Sequence, residues 1–132
     1  MSHDAAMPDA ARILLISPDL MVSSRIAGLA AGLGVAVDTV VAVDATPPAG
    51  GYRVAILDLQ GLRGDAADLV TRARARLATL GPGQGRGPAI VAFGPHVAAD
   101  VLAAARAAGA DDVVSRGALL GDFAGVIDRH RA

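Results

Sequence analysis

The feature that most constrains this chain is the alternation of short, strand-like apolar runs with segments of helical period. The runs fall at residues 12–17 (RILLIS), 35–41 (VAVDTVV), 53–59 (RVAILDL), 89–93 (AIVAF) and 112–115 (DVVS). A strand covered on both faces has no polar face, so it reads as a nearly continuous apolar run rather than an in–out alternation. Runs of this kind, separated by amphipathic helices, specify a parallel sheet joined by right-handed crossovers.

The intervening segments support helices. After Ser17-Pro18-Asp19, the residues Val22, Ile26, Leu29, Ala30 and Leu33 recur at helical spacing, with Asp19 or Ser17 to cap the start and Gly34 to end it. A second helix is predicted over 65–80, with Asp65 as N-cap and Asp68 paired to Arg72 one turn on. Arg72 and Arg76 share one face there and read as a solvated surface, with Arg74 pointing elsewhere. A third covers 97–108, with Val97, Val101, Leu102 and Ala105 inward and Gly109 at its end. The last covers about 118–130, with Leu119, Leu120, Phe123, Val126 and Ile127 inward. The order is therefore β-α-β-β-α-β-α-β-α. The link between the second and third strands is unusual, because only residues 42–52 are available and Pro47, Pro48, Gly50 and Gly51 punctuate them. A parallel crossover normally takes a dozen or more residues, so at most one helical turn fits. Losing that helix is expected to leave apolar surface on the edge strand, which a homodimer would bury. Residues 1–10 (MSHDAAMPDA) read as a disordered tail and 11–132 as one domain.

Composition excludes several function classes. The hydrophobic fraction of 53% supplies a core, much of it alanine. The aromatic residues are Tyr52, Phe93 and Phe123, too few for a nucleic-acid stacking platform. A net charge of −1 argues against a non-specific nucleic-acid or membrane-surface partner. With no cysteine there is no disulfide framework, thiolate nucleophile or cysteine metal site. No signal-peptide pattern or long apolar run is present, so a cytoplasmic protein is the expectation. The glycine-rich run 81–87 follows a helix and precedes a strand, the reverse of a dinucleotide-binding loop.

Four stretches carry a resemblance to the receiver domain of bacterial response regulators: RILLISPDL, VAILDL, AIVAFGPHV and AARAAGADDVVSRG. The likeness spans about residues 12–130. It implies a flavodoxin-type doubly wound α/β sheet of five parallel strands in the order 2-1-3-4-5, and the short link over 42–52 leaves the second helix missing or reduced. It also implies a crevice at the C-terminal strand ends, where strand order reverses. Receivers phosphorylate an aspartate of their own with the help of Mg²⁺ and a positive side chain. Asp58 ends the third strand where the family's phosphoacceptor stands. The family's acidic metal-binding pair aligns with Ser17 and Pro18, and Asp19 comes one place late. Its switch hydroxyl aligns with Phe93 or Gly94, its lysine with Arg116, and the following proline with Gly117. Arginine keeps the charge but offers a planar fork instead of a compact ammonium.

The residues expected to line the crevice are Ser17, Asp19, Gly94, His96 and Arg116, around Asp58 as phosphoacceptor candidate. The bland alternative for Asp58 is a leftover carboxylate paired with Arg116. Asp19 and Asp58 are weak metal candidates, and His96 beside them would complete a divalent set. The expectation is a stand-alone, non-enzymatic pseudo-receiver that signals without phosphorylation by binding another protein, with no cofactor. One alternative is a single-domain response regulator phosphorylated on Asp58 through a degenerate Mg²⁺ site. Another is a small-molecule or metal binder at the C-terminal strand edge.

Overall fold

The computed structural model describes residues 12–83 and 85–130. The expected tail, 1–10, lies outside the described residues. Five strands form one parallel sheet: β1 (Arg12–Ile16), β2 (Ala36–Val40), β3 (Val54–Asp58), β4 (Ala89–Gly94) and β5 (Asp112–Ser115). Their order is β2-β1-β3-β4-β5. The register pairs Leu15 with Thr39 and Ile56, and Asp58 with Phe93. Every residue of β3 is buried, which is why that strand reads as an unbroken apolar run into Asp58.

Helices cover both faces. Ile13, Leu15, Val54, Ile56, Val91 and Phe93 pack on one side with Val22 and Ile26 of α1 (Leu20–Gly32) and with Leu119, Phe123 and Ile127 nearer the C-terminus. Leu14, Ile16, Ala55, Leu57, Ile90 and Ala92 face the other side. There they meet Leu69, Val70 and Ala73 of α2 (Ala66–Arg76) and Ala105 of α3 (Ala99–Ala107). Removing a side chain such as Ile56 from water contributes roughly 1.5–3 kcal/mol, and the two apolar layers hold the sheet between them.

Local chemistry sets the helix ends. Asp19, not Ser17, caps α1: its carboxylate accepts from Met21 N at 2.9 Å and Val22 N at 3.3 Å. Asp65 caps α2 by accepting from Asp68 N. The last predicted helix is two short ones, α4 (Arg116–Gly121) and α5 (Phe123–Asp128). Asp122 breaks the run because its carboxylate accepts from Gly125 N and starts a new helix. The third helix begins at Ala99, two residues later than expected. Ala98 N bonds Pro95 O, which closes a turn with His96 and Val97 at its exposed tip. Val97 is therefore 79% exposed, and Val101 is also outward, against the inward positions the helical spacing suggested.

No helix joins β2 to β3. The connecting loop folds down and supplies the cover itself: Val43 and Tyr52 are buried, with Ala45 and Ala49 packed against the same core. Arg72 Nη2 donates to Asp44 Oδ1 at 2.7 Å and Arg76 Nη2 to Asp44 O at 2.6 Å, so α2 holds the loop in place. This corrects two expectations. The shared face of Arg72 and Arg76 is a clamp, not a purely solvated surface, and the missing helix does not leave that layer of the sheet bare. Val41 is the one large hydrophobic residue of this loop that remains exposed, at 64%.

Candidate functional site

The candidate site lies at the C-terminal edge of the sheet. Ser17 follows β1, Asp58 ends β3, Gly94 ends β4 and Arg116 follows β5. At that edge the chain leaves β1 toward β2 on one side and β3 toward β4 on the other, and the crevice of a doubly wound sheet opens there.

Asp58 is 2% exposed. A carboxylate removed from water needs donors, and three are present. The Ser17 hydroxyl donates to Oδ2 at 2.7 Å, while Gln60 N and Gly61 N donate to Oδ1 at 3.1 and 2.9 Å. Ser17 is itself held, because its Oγ accepts from Asp19 N at 3.1 Å and its own N–H continues the ladder to Val40 O. The Asp58 carboxylate, the Ser17 hydroxyl and the N–H groups of residues 19, 60 and 61 thus form one connected network across the ends of β1 and β3.

The space over the carboxylate is closed. A Cβ at Gly61 would sit 2.5 Å from Asp58 Oδ2 and 3.2 Å from the Pro18 ring, so the turn after β3 lies directly against both. Glycine at 61 lets the backbone approach closely enough to donate to Asp58. Where the family resemblance places a metal-binding carboxylate pair, this chain has a hydroxyl that bonds Asp58 directly and a proline ring against its covering turn.

The other expected residues are placed as follows. Asp19 is committed to capping α1. His96 is exposed at the tip of the turn after β4, without a hydrogen bond among the described residues. Arg116 stands at the start of α4 at the same sheet edge but makes no ion pair with Asp58, so the expected Asp58–Arg116 pair is replaced by Asp58–Ser17. Phe93 is buried in the core, and a Cβ on Gly94 would meet Leu102 at 3.4 Å, so an apolar contact occupies the place of the switch hydroxyl. Among the described residues no group of three His, Asp or Glu side chains is positioned to share a metal ion, which corrects the Asp19, Asp58 and His96 set. Gln60 and Gly61 were not anticipated as parts of the site. Their signal was Asp58-Leu59-Gln60-Gly61, an aspartate followed by a turn whose N–H groups its side chain accepts.

Two further polar clusters flank the sheet. Tyr52 hydroxyl donates to Asp38 Oδ2 at 2.8 Å, and Arg12 Nη1 reaches the same oxygen at 3.2 Å. Burial first, then the bond to Asp38 and its charge, push the Tyr52 phenol up to about 12. Asp112 on β5 accepts from Arg129 and lies 3.1 Å from His130 Nε2. Burial works to raise its carboxyl, but the bonds and charges of His130 and Arg129 outweigh that and hold it below the ordinary carboxylate value.

The five-stranded sheet in this order, with helices on both faces and an aspartate ending the central strand, defines a receiver-type α/β domain. Solved structures agree. The chain is similar to a response regulator receiver protein from Burkholderia phymatum, with 23% identity and a TM-score of 0.69 over 92% of this chain and 94% of that one. It is similar to the receiver domain of NtrX from Brucella abortus, with 20% identity and a TM-score of 0.68 over 90% and 97%. It spans 27% of the longer NtrX chain from the same organism. No protein-family model and no curated protein matches the chain. At these identities the likeness establishes the receiver fold.

Proposed function

We propose that this domain is a pseudo-receiver: a signalling module that works through binding another protein and does not use phosphorylation of Asp58. The observation that carries the reading is the closed network around Asp58. A phosphoacceptor must present a free oxygen to a phosphodonor and share a metal ion with neighbouring carboxylates. Here one oxygen is bonded to Ser17, the other to two backbone N–H groups, and the turn at Gly61 lies against the carboxylate. Gly94 and Phe93 offer no hydroxyl through which a phosphoryl group would report its presence to the rest of the domain.

A protein partner is supported by the outer face of α1. Leu20 and Met21 stand side by side there, 80% and 77% exposed. Neighbouring exposed apolar side chains on a receiver-type domain are more informative than scattered ones. The proposal includes a single domain over 11–132 acting in the cytoplasm. No described helix is long and apolar enough to cross a membrane.

The test is an amide NMR titration with Mg²⁺ and then beryllofluoride, the phosphoryl mimic, on the wild type and on Asp58→Ala. The expected outcome is no saturable shift around Ser17, Asp58 and Gly61. Saturable shifts there that vanish in Asp58→Ala would instead establish a phosphorylatable receiver with a degenerate metal site.

A further inference from the structure

A cleft of about 330 Å³ opens where β1, β2 and β3 end. Its walls come from the three loops that leave those strands and from α2. Pro18, Val43, Leu62 and Leu69 give it an apolar lining, and Arg63 and Arg72 stand at its rim. The loop that replaces a helix between β2 and β3 supplies one wall of it through residues 41–43. It is separate from the Asp58 network, though Pro18 and Gly61 form a wall common to both.

The two rim cations differ. Arg72 is neutralised by Asp44 at 2.7 Å and Asp68 at 3.4 Å. Arg63 is exposed and has no hydrogen bond or carboxylate partner among the described residues. An apolar recess with one uncompensated guanidinium at its mouth is complementary to an organic anion with an apolar body. The planar fork takes a carboxylate with two parallel N–H bonds, and the lining takes the hydrocarbon. A bare inorganic anion leaves the lining unused, and a neutral apolar molecule leaves Arg63 unused.

We propose that this cleft is a binding site for a small amphipathic carboxylate, oriented by Arg63. The proposal goes beyond the signalling reading and does not rest on it. Octanoate is a suitable probe, followed by amide NMR on the full chain, with octanol and inorganic phosphate as comparison ligands. Saturable octanoate shifts are expected at residues 41–43 and 61–63 and at Leu69. Arg63→Ala is expected to weaken octanoate about tenfold, the usual scale for a charge-assisted bond, and octanol to bind the wild type about as weakly. Ala42→Trp, which fills the cleft from an exposed position, is expected to abolish the shifts while leaving the rest of the spectrum intact. The proposal is overturned if octanoate gives no saturable shift or shifts centred elsewhere. Unchanged affinity in Arg63→Ala, or phosphate binding as tightly as octanoate, would overturn it as well.

Discussion

At the scale of single residues, Ser17 and Gly61 decide the character of the Asp58 site. Among the described residues Ser17 is the one side chain that donates to Asp58, at 2.7 Å, and it is buried with it. Ser17→Ala leaves a buried carboxylate oxygen without its donor, so a loss of about 1–3 kcal/mol in chemical unfolding is expected. Gly61→Ala drives a methyl group to 2.5 Å from Asp58 Oδ2, and relief requires the turn or the carboxylate to move. A comparable destabilisation is expected, together with loss of amide protection at Gln60 and residue 61. If both variants unfold at the wild-type denaturant midpoint, the network contributes nothing to stability. Ser17→Asp is informative in the opposite sense: it places a second carboxylate where the hydroxyl was, and like charges at that distance disfavour each other unless a cation joins them. Its stability should therefore rise on adding Mg²⁺, whereas the wild type should not respond.

At the scale of elements, the loop between β2 and β3 shows how a crossover works without a helix. Its apolar residues Val43, Ala45, Ala49 and Tyr52 do the covering, and its backbone is fastened from outside by Arg72 and Arg76. Such a segment has few backbone bonds of its own, so its order depends on those side chains. The double variant Arg72→Ala/Arg76→Ala is expected to speed amide exchange across 42–52 while leaving β3 and β4 protected. Unchanged exchange in the loop would mean that apolar packing alone holds it. Arg74 works similarly on the other side of α2, where it bonds Asp111, whose carboxylate also accepts from Ile90 N at 2.7 Å. Three arginines on α2 thus tie two different segments, the β2–β3 loop and the stretch before β5, to one helix.

At the scale of the whole molecule, two partly buried ionisable clusters bracket the pH range of the fold. The raised Tyr52 phenol favours the neutral form in the native state. Its contribution is complete below the ordinary phenol value, near 10, and is lost as pH rises through about 12. Tyr52 is the single tyrosine and there is no tryptophan, so tyrosinate absorption reads this transition directly. The expected curve has its midpoint well above that of free tyrosine, and Tyr52→Phe should flatten the alkaline loss of stability. A midpoint near 10 would mean that neither the burial of Tyr52 nor its bond to Asp38 persists in solution. On the acid side, Asp112 has a lowered carboxyl, so its contribution is present above the ordinary carboxylate value and lost as pH falls through the depressed one. Asp112→Asn should reduce the acid dependence and loosen the segment around residues 129 and 130. A wild-type acid profile in that variant would mean that Asp112 does not hold Arg129 and His130 in solution.

The sequence by itself determined the sheet and the residues that build its core. Continuous apolar runs such as VAILD are compatible with little except a strand covered on both faces, and the helix caps at Asp19 and Asp65 follow from side chains that bond their own neighbours. It also showed that at most one helical turn had room to form between β2 and β3. Tertiary structure decided what depends on distances between segments far apart in the chain. Ser17 and Asp58 are separated by 41 positions, and nothing in either segment says that a hydroxyl, rather than Arg116, completes the carboxylate. The same holds for Arg72 and Asp44, 28 positions apart, which turned an apparently solvated helix face into a clamp. Even the outward Val97 and the break at Asp122 reflect competition between helical period and a local turn, which period alone does not resolve. Patterns along the chain encode which surface of an element is apolar. Which polar atoms finally meet depends on the loop geometry that brings strand ends together.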